Sequence, residues 1–170
     1  ALMSGAAFVT PFDGVSSATP LAAEGGAEGW RLVDLIVGRI PGSIGEVCKV
    51  AILIGLIYLL VRGTISWHIP VTMIGVFMLC TWLFGGDPVT AVFSGSVLFG
   101  AVFMATDYVT SPMNGLGKVI YGAGAGLIIA LIRAFGGYPE GTTYGILLMN
   151  VATPLIDRAT KRKFYGEVKA

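Results

Sequence analysis

The chain has 170 residues, 55% of them apolar and 12% charged, with a formal net charge of +1 at pH 7. Soluble domains carry about a quarter charged residues, so this composition, with a mean hydropathy of +0.81, excludes a water-soluble globule and reads as an integral membrane chain. The near-neutral charge leaves no footprint for nucleic acid.

Taken in order, Ala1 to Val9 is apolar but lacks the basic n-region of a signal peptide, and apolar blocks recur downstream instead of stopping after one. Next comes Asp13-Gly14-Val15-Ser16-Ser17-Ala18-Thr19-Pro20, a stretch of small residues. A threonine before proline is pushed toward extended backbone, so the Thr19 hydroxyl is expected to project from a loop. By composition alone this is a polar turn at a membrane surface. Residues 11–46 form an extramembrane segment that also carries Trp30, Arg31, Arg39 and Glu46.

Five apolar blocks follow: Val47–Val61, Ile69–Phe84, Val89–Thr106, Val119–Phe135 and Tyr144–Ile156. Each is close to, or slightly under, the ~20 residues of a helical span, and helices are the default because lipid offers backbone groups no partner. The reading is an all-α, polytopic membrane helix bundle over residues 47–157, five spans in all. The joins Gly42 to Glu46, Gly85 to Thr90 and Ser111 to Gly117 are candidates for half-helices or re-entrant turns, which would make the architecture transporter-like. Gly95, Gly100, Gly122, Gly124 and Gly126 lie inside spans and are read as close helix contacts, not as a dinucleotide fingerprint, since no strand precedes them.

Arg158, Lys161, Arg162 and Lys163 open a basic tail, residues 158–170, that the positive-inside rule assigns to the cytoplasm. Counting back through the spans puts Asp107–Lys118 and Arg62–His68 inside, Gly85–Pro88 and Gly136–Thr143 outside, and Thr19 on the extracytoplasmic side; the alternative, with one block re-entrant, turns Thr19 inward. Arg62 and Lys118 agree with this scheme, whereas Arg133 falls at an outer end and opposes it. Ionisable residues at membrane depth mark ion paths, which singles out Glu46, Asp87, Asp107 and Asp157, although most sit at span ends where water solvates them. Cys48 and Cys80 lie in apolar sequence with no CxxC spacing and read as small buried hydrophobes; the alternative is half of an iron–sulfur centre shared across a subunit interface. His68 has no second ligand in reach, so no metal site is expected.

The pattern Asp13-x-x-Ser16-Ser17-Ala18-Thr19 resembles the flavinylation motif in which a separate flavin transferase moves FMN from FAD onto a threonine hydroxyl as a phosphoester. Ile40–Glu46, Ile69–Gly75, Phe103–Pro112, Pro139–Gly141 and Leu148–Asn150 resemble the same family in the same order. That family, RnfD/NqrB, comprises the D subunit of Rnf ferredoxin:NAD oxidoreductases and the B subunit of the sodium-translocating NADH:quinone reductase. Asp107-Tyr108-Val109-Thr110-Ser111-Pro112 and the short basic tail are more similar to the D subunit. The resemblance implies a membrane flavoprotein subunit with covalent FMN on Thr19, held by the attachment residues Asp13, Ser16, Ser17 and Ala18. It further implies a relay of electrons coupled to Na+ or H+ transport, and the other Rnf subunits, a flavin transferase and the lipid bilayer as partners. A second, noncovalent riboflavin is also implied, at no identified site. An FMN phosphodiester keeps a negative charge, for which Arg31 and Arg39 are candidate partners, and Trp30 is a candidate ring-stacking residue. Glu46 and Asp107, lying in family-like stretches, become the leading ion-path candidates.

Family members carry further membrane helices before the flavin motif, so residues 1–10 are expected to be the end of the last of these and the chain a piece of a longer or split subunit. The competing readings are the quinone-reductase B subunit and, from another class, a solute channel without flavin. Ala152-Thr153-Pro154-Leu155 nearly repeats Ala18-Thr19-Pro20-Leu21 but lacks the preceding Asp-x-x-Ser, so Thr153 is expected to stay unmodified.

Overall fold

The computed structural model of the chain describes residues 32–38, 48–136 and 141–160. Among these, every element is helical: α1 (Leu32–Val37), α2 (Lys49–Val61), α3 (His68–Leu83), α4 (Pro88–Phe93), α5 (Val97–Phe99) running into a π-helical turn (Gly100–Met104), α6 (Gly115–Phe135) and α7 (Thr142–Ala159). The apolar blocks therefore fold as helices over nearly the expected ranges. Among the described residues one helix, α6, is long and apolar enough to cross a membrane, while α2 and α3 are shorter apolar helices. At about 1.5 Å per residue, the 21 residues of α6 extend ~31 Å, about the thickness of a hydrocarbon core.

The centre of the bundle is the crossing of α3 and α6. A Cβ added at Gly122 would lie 2.9 Å from the Ile69 carbonyl oxygen, and one at Gly126 would lie 2.5 Å from that of Met73. Those glycines, one helical turn apart, let the two backbones touch, as small residues do where packing rather than hydrophobicity joins helices. Because 69 meets 122 and 73 meets 126, α3 and α6 run parallel. Antiparallel to both, α7 sets Met149 against Gly124, and its own Gly145 against Ile129. Met73, Phe77, Tyr121, Ala125 and Ile129 fill the core where the three helices meet.

These directions sort the connections onto two ends. Residues 62–68, 105–114 and 160 meet at one end, where the Tyr108 hydroxyl donates to the Thr64 carbonyl and the Asn114 amide donates to the Thr160 carbonyl at 3.0 Å. Opposite them lie Gly85 to Pro88 and Gly136, with Phe84 edge-on to Phe135 at 5.3 Å. Large apolar side chains point outward from α2 (Ile54, Ile57, Val61) and from α7 (Leu147, Val151, Leu155). A helix in water does not present such faces.

The structure departs from the sequence reading in two places. A further interruption falls inside the third block, at Ser94–Ser96 between the six-residue α4, which begins within the Gly85 to Thr90 join, and α5, while the Gly42 to Glu46 join lies outside the described residues. Gly95 is the reason: its φ of +70° is left-handed, so it turns the chain instead of packing one helix on another. Gly100 does serve packing, since a Cβ there would strike the Thr142 methyl. The second difference is Cys48, which is exposed at the N-cap of α2 while Cys80 is buried.

Asp87 explains where α4 starts. Its carboxylate accepts from the Val89 and Thr90 amides, both at 3.2 Å, and from the Thr90 hydroxyl, with Pro88 at the first helical position. The Thr90 hydroxyl, helped by the two amides and opposed by burial, holds the Asp87 carboxyl below its ordinary pKa. A carboxyl with a lowered folded pKa contributes fully above the ordinary carboxylate range and loses that contribution as pH falls through the folded value. Amide exchange at Val89 and Thr90, corrected for intrinsic rate, is therefore expected to rise on acidification. In Asp87→Asn that dependence disappears; a wild-type profile equally flat would refute the assignment.

Candidate functional site

Asp13, Ser16, Ser17, Ala18, Thr19, Arg31, Arg39 and Glu46 lie outside the described residues, as does Trp30. What the structure supplies is the place where that segment rejoins the bundle: α1, beginning at Leu32, packs against α2 and α4.

Next to it the broken span collects charge. Lys49, in the first turn of α2, is 1% exposed, and its ammonium donates to the Gly95 carbonyl at 2.7 Å. From the opposite side the Arg133 guanidinium of α6 donates to the Ala91 carbonyl at 2.8 Å and the Ser94 carbonyl at 3.3 Å, and lies 5.0 Å from the centre of the Phe77 ring. Two cations from different helices thus close on the carbonyl end of α4, where the last turn of a helix leaves oxygens unpaired and partial negative charge accumulates. Ser96 adds a hydroxyl bond to Thr142 Oγ1 of α7 at 3.1 Å. The join Ser94–Ser96 is tied to α2, α6 and α7 at once.

Lys49 escapes a reading of the sequence because one lysine disappears in the average of an apolar block, and its partner carbonyl is 46 residues away. The available signal is a lone ionisable residue inside such a block. Arg133, an exception to the charge rule, is turned inward as a peg. Lys49→Met, near in shape but without charge, leaves the Gly95 carbonyl without that donor, an expected loss of ~1–3 kcal/mol. Hydrogen exchange should quicken at residues 94–97 and not in α6; unchanged exchange at the join would refute the role.

At the other end, the Lys118 ammonium donates to Ser66 Oγ at 2.6 Å, and the Met113 amide donates to Asp157 Oδ1 at 3.3 Å. Asp107 is exposed in the turn after the π-helical segment and accepts from the Thr110 hydroxyl at 3.2 Å, so it stands at the bundle's end and not within a helix. The fully buried Tyr121 donates its hydroxyl to Asn150 Oδ1 on α7. His68 stacks on Trp67 at 4.2 Å. Thr153 is buried in α7 with its hydroxyl donated to the Met149 carbonyl at 3.0 Å.

The model of the NQR2, RnfD, RnfE family matches residues 1–166. The chain is similar to the D subunit of the Na(+)-translocating ferredoxin:NAD(+) oxidoreductase complex of Acetobacterium woodii, 46% identical over 172 aligned positions that cover 98% of this chain and 54% of that protein. It is 42% identical to the D subunit of the proton-translocating ferredoxin:NAD(+) oxidoreductase complex of Clostridium ljungdahlii, covering 91% of this chain and 52% of that one. With the D subunit of the ion-translocating oxidoreductase complex of Pectobacterium atrosepticum the identity is 38%, over 91% of this chain and 48% of the relative. The chain spans about half the length of these curated relatives.

Proposed function

Because the chain belongs to the NQR2, RnfD, RnfE family, we propose that it is the flavin-bearing part of a multi-pass membrane subunit in an ion-translocating ferredoxin:NAD oxidoreductase, with FMN esterified to Thr19. The observation that carries this reading is the similarity to D subunits along nearly the whole chain, over a span that includes the Asp13-x-x-Ser16-Ser17-Ala18-Thr19 motif. The relatives named above are D subunits, which favours this assignment over the quinone-reductase B subunit and over a flavin-free channel.

Membrane residence is supported by the outward apolar faces of α2 and α7 and by the span-length α6. The grouping of the connections onto two ends supports a bundle crossing the bilayer several times. With the basic tail in the cytoplasm, the 62–68 and 105–114 end faces inward and Thr19 faces outward, in the cytoplasmic membrane of the cell. Covalent FMN supplies exchange between two-electron and one-electron carriers. In this reading the chain's own residues hold that group at one depth: Thr19 tethers it, α1 fixes the tether to α2 and α4, and Lys49 and Arg133 keep the broken span in place. Asp13, Ser16, Ser17 and Ala18 are the surface a flavin transferase reads, with Arg31 and Arg39 as cations for the phosphodiester and Glu46 and Asp107 as candidate points on an ion path.

The test is chemical. The purified, denatured protein is expected to fluoresce under ultraviolet light on a gel, with the mass of an FMN phosphoester on the peptide containing Thr19. An unmodified peptide from a host that has the transferase would overturn the reading.

A further inference from the structure

The six residues of α4 are closed off from the helices on either side. Before it, α3 ends in a Schellman turn: the Gly86 amide donates to the Thr81 carbonyl and the Gly85 amide to the Trp82 carbonyl, both at 3.0 Å, with Gly85 left-handed at φ +84°. Asp87 then starts α4 afresh by accepting from its first amides. After it, the Ser94 amide donates back to the Thr90 carbonyl at 2.9 Å, the left-handed Gly95 turns the chain, and α5 opens on Ser96. None of these bonds joins α4 to α3 or to α5.

Six residues are too few to hold a helix alone, and Val92 is the one residue of the six that is buried. The helix packs on α3 and on α1, the latter itself only six residues long. Its carbonyl end is fixed from further away, by Arg133 of α6 on the Ala91 and Ser94 carbonyls and by Lys49 of α2 on the Gly95 carbonyl. Between α3, α4 and α6 lies a cavity of about 270 Å³, lined by Phe77, Thr81, Phe84, Ala91, Arg133 and Ala134 among others.

We propose that α4 is a hinged lid over this cavity, turning about Gly85 and Gly95 and latched shut by Arg133. Hinges are a few residues at element ends that absorb a change in φ and ψ, and glycine in the left-handed region does so at least cost. Opening withdraws the Ala91 and Ser94 carbonyls from the guanidinium and widens the cavity. Arg133 keeps its place against the Phe77 ring, 5.0 Å from its centre, so the latch stays aimed for closure. A unit with one buried side chain and a few side-chain tethers opens at a fraction of the free energy needed to part α3 from α6, whose backbones touch at Gly122 and Gly126.

The test is hydrogen exchange of the full-length protein in its complex. In the wild type the amides of Ala91 to Ser94 are expected to share one opening constant and to exchange faster than Phe77 in α3 and Ile129 in α6. Arg133→Gln should speed that group by about tenfold or more, because bonds from a charged donor are lost. Arg133→Lys should recover part of the difference, and Phe77 and Ile129 should not change in either variant. A bismaleimide bridging Ala91→Cys and Ala134→Cys in a Cys48→Ser background, with Arg133 intact, ties α4 to α6 across the cavity and should slow the group below its wild-type rate. Exchange at Ala91 to Ser94 that is no faster in Arg133→Gln, or is untouched by the bridge, would overturn the lid. An equal rise in α3 and α6 would overturn it too, by making Arg133 a support of the whole bundle.

Discussion

Thr19→Ala is expected to abolish flavin fluorescence from the denatured chain and to remove the FMN mass, whereas Thr153→Ala leaves both unchanged. The two sites share Ala-Thr-Pro-Leu, so any difference must come from what surrounds those four residues. Thr153 lies in the interior of α7, one residue before the in-helix Pro154, 8% exposed, with its hydroxyl already donated to the Met149 carbonyl. A transferase would have to unwind α7 to reach it. Thr19 is preceded by Asp13 and Ser16, which Thr153 lacks, and follows a run of small residues. The effect is all or none because a phosphoester needs its oxygen: alanine offers nothing to esterify, and Thr19→Ser should restore part of the signal. Equal fluorescence from wild type and Thr19→Ala would end the proposal.

Gly126→Val carries the largest structural penalty expected of a single substitution here. Its first carbon alone would sit 2.5 Å from the Met73 carbonyl oxygen and 3.1 Å from the Phe77 nitrogen, both backbone atoms that cannot rotate away. Overpacking a core side chain typically costs ~1–3 kcal/mol, and a collision between backbones belongs at or above the top of that range. Separating α3 from α6 would also loosen Arg133 from the face of Phe77. Gly75, on α3, is the internal control: a Cβ there meets nothing within 4 Å, so Gly75→Ala should be neutral or gain up to ~1 kcal/mol of helix propensity. Thermal unfolding in detergent, followed by size-exclusion fluorescence, checks both. Comparable melting of Gly126→Val and Gly75→Ala would show that the crossing is not the centre of stability.

The helices could be read from the sequence because apolar runs bounded by glycine, proline and charge leave few alternatives in lipid, and α2, α3, α6 and α7 begin and end within a few residues of their blocks. Inside a block the same logic loses resolution. Val92-Phe93 and Val97-Leu98 flank Ser94-Gly95-Ser96 without lowering the hydropathy enough to show a break, and only the left-handed Gly95 and the tethers made one each by Ser94, Gly95 and Ser96 reveal it. Lys49 and Arg133 were opaque for a related reason: each acts on a carbonyl about forty residues away, and no local spacing encodes such a pairing. The threonine before proline shows the limit of a local rule. Its preference for extended backbone is overridden at Thr153, where α7 continues through Pro154 while packed against α6, with Ile156 against Gly117.

The parallel pairing of α3 with α6 has a consequence for how the chain is made. Ile69 meets Gly122 across 53 residues (122 − 69), and between them α4, α5 and the π-helical turn must cross back before α6 can start from the correct end. At synthesis rates of ~5–20 residues per second, α3 waits several seconds with Met73 and Phe77 uncovered before its partner exists. During that interval a 16-residue helix whose main neighbour is still unmade must be sheltered by the insertion machinery or by a helix of another protein. Nascent chains stalled before Gly126 should therefore be the ones that insertion chaperones retain.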